Sequence, residues 1–389
     1  MNIEQRMWTQ TAGWIPASPS GVARLAQLVL VFGAPAALGQ AHLRDAIRSD
    51  YPDAHIFGCS TAGEICGTQV SDDSLVVTAV HFEHTQLRSA QVDLAHTPDS
   101  FQAGESIAQA LPRSVRDAAT GADEQLAHVL VLSDGLKVNG SDFVAGLMKH
   151  LPEGVTLTGG LAGDGARFNK TLVFDAGTPR EGAVAALGLY GQRLKVGFGS
   201  LGGWDSFGPD RLVTRSKANV LYELDGQSAL GLYKQYLGEH AKGLPSTGLL
   251  FPLSIRDDSG ETPVVRTILS VDEAAQSMTF AGDIPEGSYA RLMKANFDRL
   301  IDGATGAART SHTALGSGTA ELALLISCVG RKLVLKQRIE EEVEAVREVL
   351  GEGATLAGFY SYGEISPFTP GARCELHNQT MTITALSEN

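Results

Sequence analysis

Three short segments of the chain place a glycine and a carboxylate at the end of an apolar run, a combination that suits ligand binding. They are Ala62-Gly63-Glu64, Ala162-Gly163-Asp164 and Tyr362-Gly363-Glu364. Glycine allows positive φ and close approach of the backbone, so a small ligand could meet free amides there while the acid receives a cationic group. The predicted ligand-binding residues are Gly63, Glu64, Gly163, Asp164, Tyr362, Gly363 and Glu364. In the alternative interpretation, each carboxylate accepts hydrogen bonds from its own turn and only fixes the loop.

Cys59 and Ser60 precede the first of these turns and are included in the predicted ligand-binding site. Either residue could also be the nucleophile of a thiol or serine hydrolase. That alternative lacks the GxSxG spacing, because Ser60 is flanked by Gly58 and then Ala62. No motif supplies a base, and a strand would place His55 on the opposite face from Ser60. Cys59 is more simply interpreted as a small buried hydrophobic residue.

Cys374 and His377 are good metal ligands that stand three residues apart before the last apolar run. In an extended chain they point to opposite sides, which argues against joint zinc binding. His377 alone could be an axial ligand of haem iron, which needs one imidazole on an apolar wall. In the alternative interpretation, His377 and Asn378 hydrogen-bond neighbouring backbone where the strand begins.

The run from Gly197 to Gly202 formally matches the dinucleotide motif GxGxxG. The sequence that follows it, GWDSFGPD, cannot open a helix that would receive a pyrophosphate. Dinucleotide binding is therefore disfavoured. We predict instead a flexible, partly exposed loop that carries Trp204 and Phe207.

The elements that would position these residues form a repeated unit. The first two copies align without a gap at an offset of one hundred residues, so that the apolar run 28–32 matches 128–132. The third copy begins at Leu322, and its closing GFYSYGEI is similar to the GCSTAGEI that begins at Gly58. Each copy is predicted to contain a buried strand, a covering helix, a parallel second strand, the Gly-acid turn and an antiparallel third strand.

The predicted fold class is α/β, with two domains whose mixed, largely parallel sheets are built from repeated β-α-β-turn-β units covered by helices. The predicted division is an N-terminal extension over 1–21, a first domain over 22–225 and a second over 226–389, because a turn signal lies at Asp225-Gly226. In the helix of the third copy, apolar residues keep helical spacing, and the glutamates between them are predicted to face solvent. These glutamates are Glu340, Glu341, Glu342, Glu344 and Glu348.

Composition and charge exclude several partners. The 389 residues carry a formal net charge of -13, from 44 acidic and 31 basic residues, so the average field repels phosphate backbones and anionic lipid headgroups. The four cysteines show no CxxC spacing, which favours a reducing compartment. The N-terminal sequence lacks the pattern of a secretory signal. We expect a cytoplasmic protein that binds neither nucleic acid nor membranes.

Several blocks of the sequence, in order, resemble the paired N- and C-terminal FIST domains. They are IFGCSTAGEICG, GGLAGDG, VLYELDGQSAL, LAGFYSYGEISP and LHNQTMTITAL. The resemblance covers nearly the whole chain after residue 22, and it implies a FIST N-like domain over 22–225 and a FIST C-like domain over 226–389. It also implies a sensory module of bacterial signal transduction that binds a small ligand. Because the two domains use up the chain, the signal is expected to pass to a separate partner, such as a histidine kinase or a cyclic-dinucleotide enzyme.

The closing run CELHNQTMTITAL is also similar to nitric-oxide-sensing haem proteins of that family. That resemblance implies a haem b cofactor with His377 as the iron ligand. Three alternatives stay open: a haem-free binding protein for an amino acid or related metabolite, a hydrolase with Cys59 or Ser60 as nucleophile, and a pure interaction scaffold.

Overall fold

The described part of the chain contains four β-sheets, and helices pack against them. The computed structural model describes residues 1–117, 120–256, 263–316, 318–368 and 371–388. The strands, in chain order, are β1 (Asn2–Thr9), β2 (Gly13–Ile15), β3 (Leu28–Gly33), β4 (His55–Ser60), β5 (Glu64–Cys66), β6 (Gln69–Ser71), β7 (Leu75–His81), β8 (Gln86–Asp93), β9 (Ser114–Arg116), β10 (Asp123–Ser133), β11 (Thr156–Leu161), β12 (Val173–Asp175), β13 (Ala183–Tyr190), β14 (Lys195–Leu201), β15 (Asp205–Lys217), β16 (Val220–Leu224), β17 (Gln227–Ser228), β18 (Leu253–Arg256), β19 (Val264–Arg266), β20 (Ile268–Asp272), β21 (Ser277–Phe280), β22 (Tyr289–Lys294), β23 (Leu322–Cys328), β24 (Thr355–Ser361), β25 (Gly363–Pro367), β26 (Cys374–His377) and β27 (Met381–Ser387). The α-helices are α1 (Pro35–Leu38), α2 (Ala41–Asp50), α3 (Ser100–Ala110), α4 (Gly140–His150), α5 (Ala229–Leu237), α6 (Phe297–Ala314), α7 (Val329–Leu335) and α8 (Ile339–Leu350).

The repeated unit predicted from the sequence is confirmed in the first three sheets. Each contains one parallel pair whose strands are joined through a helix, namely β3–β4, β10–β11 and β23–β24. The third strand of each copy, β7, β13 or β27, then pairs antiparallel with the first strand of that copy. The mixed α/β class is confirmed. Parallel pairing among the described strands is limited to these three pairs, because only the helical crossovers return the chain in the same direction.

The strand that follows each Gly-acid turn leaves its own sheet and joins the sheet of another copy. Strand β5 of the first copy pairs with β24 of the third, β12 of the second pairs with β4 of the first, and β25 of the third pairs with β11 of the second. The three copies therefore exchange strands in a closed cycle. The repeat pattern did not predict this exchange.

Apolar side chains on the two faces of each parallel pair enter different cores. In β3, Leu28, Leu30 and Phe32 face a central core that also receives side chains from β10 and β23. Val29 and Val31 face the opposite way, toward helix α2. Because side chains alternate along a strand and both faces are covered, the strand needs an uninterrupted apolar run. The phenyl rings of Phe32 and Phe359, from two different sheets, lie 4.7 Å apart in the central core.

The fourth sheet is built mainly from β15–β22 and carries helix α5. The predicted turn is present, with positive φ at Asp225 and Gly226. Strands β15 and β16, which precede this turn, belong to this sheet. The segment predicted as an N-terminal extension contains β1, which pairs antiparallel with β7 of the first sheet. The sequence also predicts a turn over residues 255–260, of which residues 257–260 lie outside the described residues.

The GxGxxG segment is a strand, and the predicted exposed loop is wrong. Gly197 and Gly199 lie in β14, where helix α6 crosses so closely that a Cβ on either would come within 2.2 Å of a helix carbonyl oxygen. The glycines therefore serve helix packing. Trp204 is buried and its Nε1 donates to the carbonyl of Gln379 at 2.9 Å, while Phe207 lies in β15. Among the described residues, no helix is both long and apolar enough to cross a membrane.

Candidate functional site

The three Gly-acid turns meet in space, although they come from three separate copies of the repeat. Backbone hydrogen bonds join them, from Gly163 N to Ser60 O (2.9 Å), from Ala62 N to Tyr360 O (2.7 Å) and from Tyr362 N to Leu161 O (3.1 Å). Each turn lies at the carboxyl end of a parallel strand pair, which is where open α/β sheets bind their ligands. The sequence-predicted residues are thus brought to one place by the strand exchange.

Glu64 is fully buried and bonded within its own repeat. Its carboxylate accepts hydrogen bonds from the hydroxyl of Thr61 and, at the start of β7, from the backbone N–H (3.1 Å) and hydroxyl (2.5 Å) of Ser74. Burial is the largest influence and raises the pKa of Glu64 to about 7, against the lowering effect of these donors.

Glu364 repeats this arrangement in the third copy. It accepts from the hydroxyl of Ser361 at 2.6 Å, and from the backbone N–H (3.2 Å) and hydroxyl (3.0 Å) of Thr380 before β27. Burial raises the pKa of Glu364 to about 8. In both copies the acid clamps the turn to the third strand, which corresponds to the loop-fixing interpretation.

Asp164 clamps its own loop instead. Its two oxygens accept from the backbone N–H groups of Phe168, Asn169 and Lys170 at 2.8 to 2.9 Å. It also accepts from the hydroxyl of Tyr362, whose ring stacks on Phe168 with centroids 4.4 Å apart. The burial of Tyr362 and the adjacent carboxylate raise the pKa of this phenol. The second and third turns are therefore locked together.

A cavity of about 330 Å³ opens beside the first turn. Residues from all three copies line it, including Gly63 and Glu64 from the first, Gly165 and Arg167 from the second, and Lys332 from the third. Asp72 and Asp73 add carboxylates at the more exposed side. Both signs of charge therefore border one opening.

Lys332 in α7 is the most enclosed cation of this cavity, with a side chain 15% exposed. Its Nζ donates to the carbonyl of Ala62 at 2.9 Å, pairs with Asp72, and lies 5.6 Å from the centroid of the Tyr360 ring. Gly63 adopts φ of 136°, and a Cβ there would lie 2.3 Å from Nζ of Lys332. Glycine at this position thus leaves room for the ammonium group.

Helix α7 is anchored by a buried ion pair that corrects the prediction for one glutamate. Glu342 in α8 does not face solvent; it is fully buried, as is Arg331, which donates to it from Nε at 3.0 Å and Nη2 at 2.8 Å. The hydroxyl of Tyr360 donates to the same carboxylate at 2.7 Å. The apolar periodicity of α8 could not reveal this, because the partner lies on another helix. The pair fixes the segment that carries Lys332.

Cys59 and Ser60 are buried and are not among the residues that line the cavity. The Ser60 hydroxyl donates to the carbonyl of Gly163 and accepts from the N–H of Leu172, both at 2.8 Å. Cys59 is fully buried, and burial raises the pKa of its thiol well above the usual range. A buried thiol without an activating cation is a poor nucleophile. The geometry therefore gives the hydrolase alternative no support.

His377 is enclosed and does not fit the role of a haem ligand. Its Nε2 donates to the carbonyl of Ser366 at 2.7 Å, and its ring packs on Phe368 with centroids 4.0 Å apart. Burial lowers the pKa of His377 to about 4. The backbone bonding expected in the alternative interpretation is present, since the Asn378 amide donates to the His377 carbonyl at 2.9 Å. Neither ring nitrogen is presented to an opening, because the residue is only 1% exposed.

Cys374 lies on the other face of the strand, as predicted, and donates from Sγ to the carbonyl of Leu157 at 3.3 Å. Within the described ranges, no group of three or more His, Cys, Asp or Glu side chains could hold a metal ion.

Sequence reasoning found Gly63 and Glu64 but missed the charged residues Lys332, Arg167 and Asp72. None of these stands in a motif, and they reach the cavity from separate copies of the repeat. These residues become neighbours only through the strand exchange, which local sequence patterns do not predict.

Comparison with known proteins identifies the family of this chain. The family model described as FIST N domain matches residues 27–227, and that described as FIST C domain matches residues 229–367. The chain therefore belongs to the FIST family. FIST domains are sensory domains of signal-transduction proteins and bind small ligands.

A curated relative is an uncharacterized protein of Methanocaldococcus jannaschii. It is 24% identical over 275 residues, which cover 66% of this chain and 52% of that protein. The chain thus matches about half the length of this relative.

Proposed function

We propose that this protein is a cytoplasmic small-ligand sensor, and that its ligand binds in the cavity beside the first Gly-acid turn. The observation that carries the proposal is that residues from all three copies line one opening beside the first of the three hydrogen-bonded turns. A ligand there would contact all three copies at once. If it favours one arrangement of the copies by about 1–3 kcal/mol, it shifts a downstream interaction about 5-fold to 150-fold. The proposed recipient is a separate partner, such as a histidine kinase or a cyclic-dinucleotide enzyme.

The charges around the cavity favour a ligand that carries both signs. Lys332 and Arg167 suit a carboxylate, while Asp72 and Asp73 suit an ammonium group. An amino acid or a related haem-free metabolite has this combination. The Glu64 carboxyl is already satisfied by Thr61 and Ser74, so it shapes the wall instead of pairing with the ligand.

The proposal predicts thermal stabilisation by a zwitterionic metabolite. A ligand bound only to the folded state at 100 times its Kd adds about 2.7 kcal/mol, which raises the melting temperature by several degrees. The test is a thermal-shift screen of the common amino acids with the full chain, Lys332→Gln, and Lys336→Gln. Lys336 is exposed and lies outside the cavity, so its variant controls for loss of one charge. We expect stabilisation in the wild type and the control and its loss in Lys332→Gln.

Two results would contradict the proposed site. One is the absence of any stabilising amino acid in the screen. The other is full stabilisation of Lys332→Gln, which would show that the ligand binds elsewhere.

Haem-based nitric oxide sensing is a separate hypothesis that rests on the similarity of the closing run. Because His377 is enclosed, we expect protein purified with added haem to show no Soret band that depends on His377. Absorption spectra of the wild type and His377→Ala decide the point. A Soret band that disappears in His377→Ala would restore the hypothesis.

A further inference from the structure

We infer that a second cavity, between helix α4 and the fourth sheet, binds a small molecule through an anionic carboxylate or phosphate group held by Arg266. This site is distinct from the cavity beside the first turn and does not depend on the function proposed for it.

The second cavity has a volume of about 450 Å³. Its walls come from α4, from β18 and β19 of the fourth sheet, and from β26 of the second sheet. This volume lies within the range of about 300–1,000 Å³ that is typical of small-molecule sites. An occupant would touch both the part of the chain matched as FIST N domain and the part matched as FIST C domain.

Arg266 is the buried cation of this cavity, with the whole residue only 6% exposed. Its Nε donates to the carbonyl of Asp283 at 3.1 Å, and its Nη1 donates to the carbonyl of Leu376 at 2.9 Å. Nη1 also donates to the carbonyl of Val265 at 3.5 Å. All three partners are neutral, and they fix the plane of the guanidinium group. Among the described residues, Nη2 has no hydrogen-bond partner and no carboxylate lies within 4.0 Å as an ion-pair partner of Arg266.

A largely buried guanidinium held only by neutral groups is costly, because its charge has lost most of its hydration without gaining a bonded anion. Burial lowers the pKa of Arg266 to about 10, while Glu375 and Asp283 act in the opposite direction, so the group stays charged at neutral pH. An anionic oxygen at Nη2 would form a charge-assisted hydrogen bond and offset this cost. Arg256 and Arg373 also line the cavity and add positive charge nearer solvent.

The carboxylates at the cavity set its selectivity. Asp142 lies in the first turn of α4, and its pKa is raised by burial and by the neighbouring Asp283 and Asp99. The start of this helix does not itself provide the anion site, because the side chain of Asn139 already accepts from the N–H groups of Ser141 and Asp142. Because the Asp142 carboxylate lines the cavity and repels an anion, removal of its charge should strengthen anion binding.

The test is calorimetric titration of the full chain with inorganic phosphate and, separately, with succinate. We expect millimolar or tighter binding of at least one anion, and phosphate against succinate distinguishes the two chemical classes. Asp142→Asn should tighten binding about 3-fold to 10-fold through the lost repulsion. Asp302→Asn on the exposed face of α6 removes the same charge away from the cavity and should leave affinity unchanged.

Two further variants locate the site. Arg266→Gln should weaken binding by about 10-fold to 100-fold, the contribution of a charged hydrogen bond. Because Arg266 also donates to three backbone carbonyls, Ala145→Phe provides a second test: it fills part of the cavity from α4 and leaves the Arg266 side chain in the protein. Lys332→Gln should leave anion binding unchanged. The inference is overturned if neither anion binds, or if both Ala145→Phe and Asp142→Asn bind like the wild type.

Discussion

At the scale of single residues, the two buried glutamates of the first and third turns show how duplication preserved a structural clamp. Glu64 and Glu364 each accept from a hydroxyl three residues earlier and from the N–H and hydroxyl of the residue directly before the third strand. Their folded-state pKa values, about 7 and about 8, lie above the ordinary value of 4.5. The folded state therefore binds more protons than the unfolded state between these values. Stability is greatest below the ordinary pKa and falls as pH rises through the folded pKa.

Replacement of Glu364 by glutamine should flatten this pH dependence. Between pH 6 and pH 9 the wild type should lose about 2 kcal/mol more stability than Glu364→Gln, because only the carboxyl must ionise in a buried site. Urea unfolding at the two pH values measures the difference. Glu352→Gln, at an exposed position, should keep the slope of the wild type. Parallel slopes for wild type and Glu364→Gln would show that the carboxyl does not titrate in this range.

At the scale of elements, helices α7 and α8 act as one support for the cavity cation. The Arg331–Glu342 pair ties them together under the third turn, and Lys332 follows Arg331 directly. A buried pair is weak evidence for net stability when compared with apolar residues, but loss of one partner leaves a costly unpaired charge. We therefore interpret the pair as a contact that positions helix α7 and, with it, Lys332.

Glu342→Gln should destabilise the protein by about 3–5 kcal/mol, because Arg331 would then be buried without its counterion. Glu344→Gln is a matched control on the same helix, since that residue is exposed. Chemical denaturation of both variants measures the effect. If the two variants prove equally stable, Arg331 must find another partner and the support has been misidentified.

Much of each repeat could be predicted from local pattern, and the assembly of the repeats could not. The run Leu28–Phe32 and the spacing of Leu43 and Ile47 contain the strand and helix periods directly, so β3 and α2 follow from them. Strands β5, β12 and β25 are short, and their partners lie in other copies. No local signal specifies such a pairing. The same reason explains which residues of the site could be predicted. Gly63 and Glu64 belong to a local motif, whereas Lys332 lies beside them only because the copies exchange strands.

At the scale of the whole molecule, the central core and the strand exchange bind the three copies into one cooperative unit. Side chains of β3, β10 and β23 share this core, and each of the first three sheets includes a strand from another copy. If one copy unfolds, the sheet of another copy loses the strand that the unfolded copy contributes. We expect the three repeats to unfold together.

Phe359→Ala tests this expectation, because Phe359 belongs to the third sheet and contacts Phe32 of the first. Its truncation should cost about 3–5 kcal/mol. In a Trp204→Phe background, fluorescence reports Trp8 and Trp14 of the first sheet, while circular dichroism reports the whole chain. We expect Phe359→Ala to lower the unfolding midpoint of both signals equally. A shift in circular dichroism alone would mean that the copies unfold separately.

The closed cycle of exchanged strands also constrains biosynthesis. While the chain leaves the ribosome, β5 can pair with β6, but its partner in the third sheet, β24, is absent until residues 355–361 have been made. The cavity beside the first turn, which Lys332 of the third copy helps to line, therefore cannot be complete in a chain that ends before this copy. Incomplete products would therefore lack the proposed ligand-binding site.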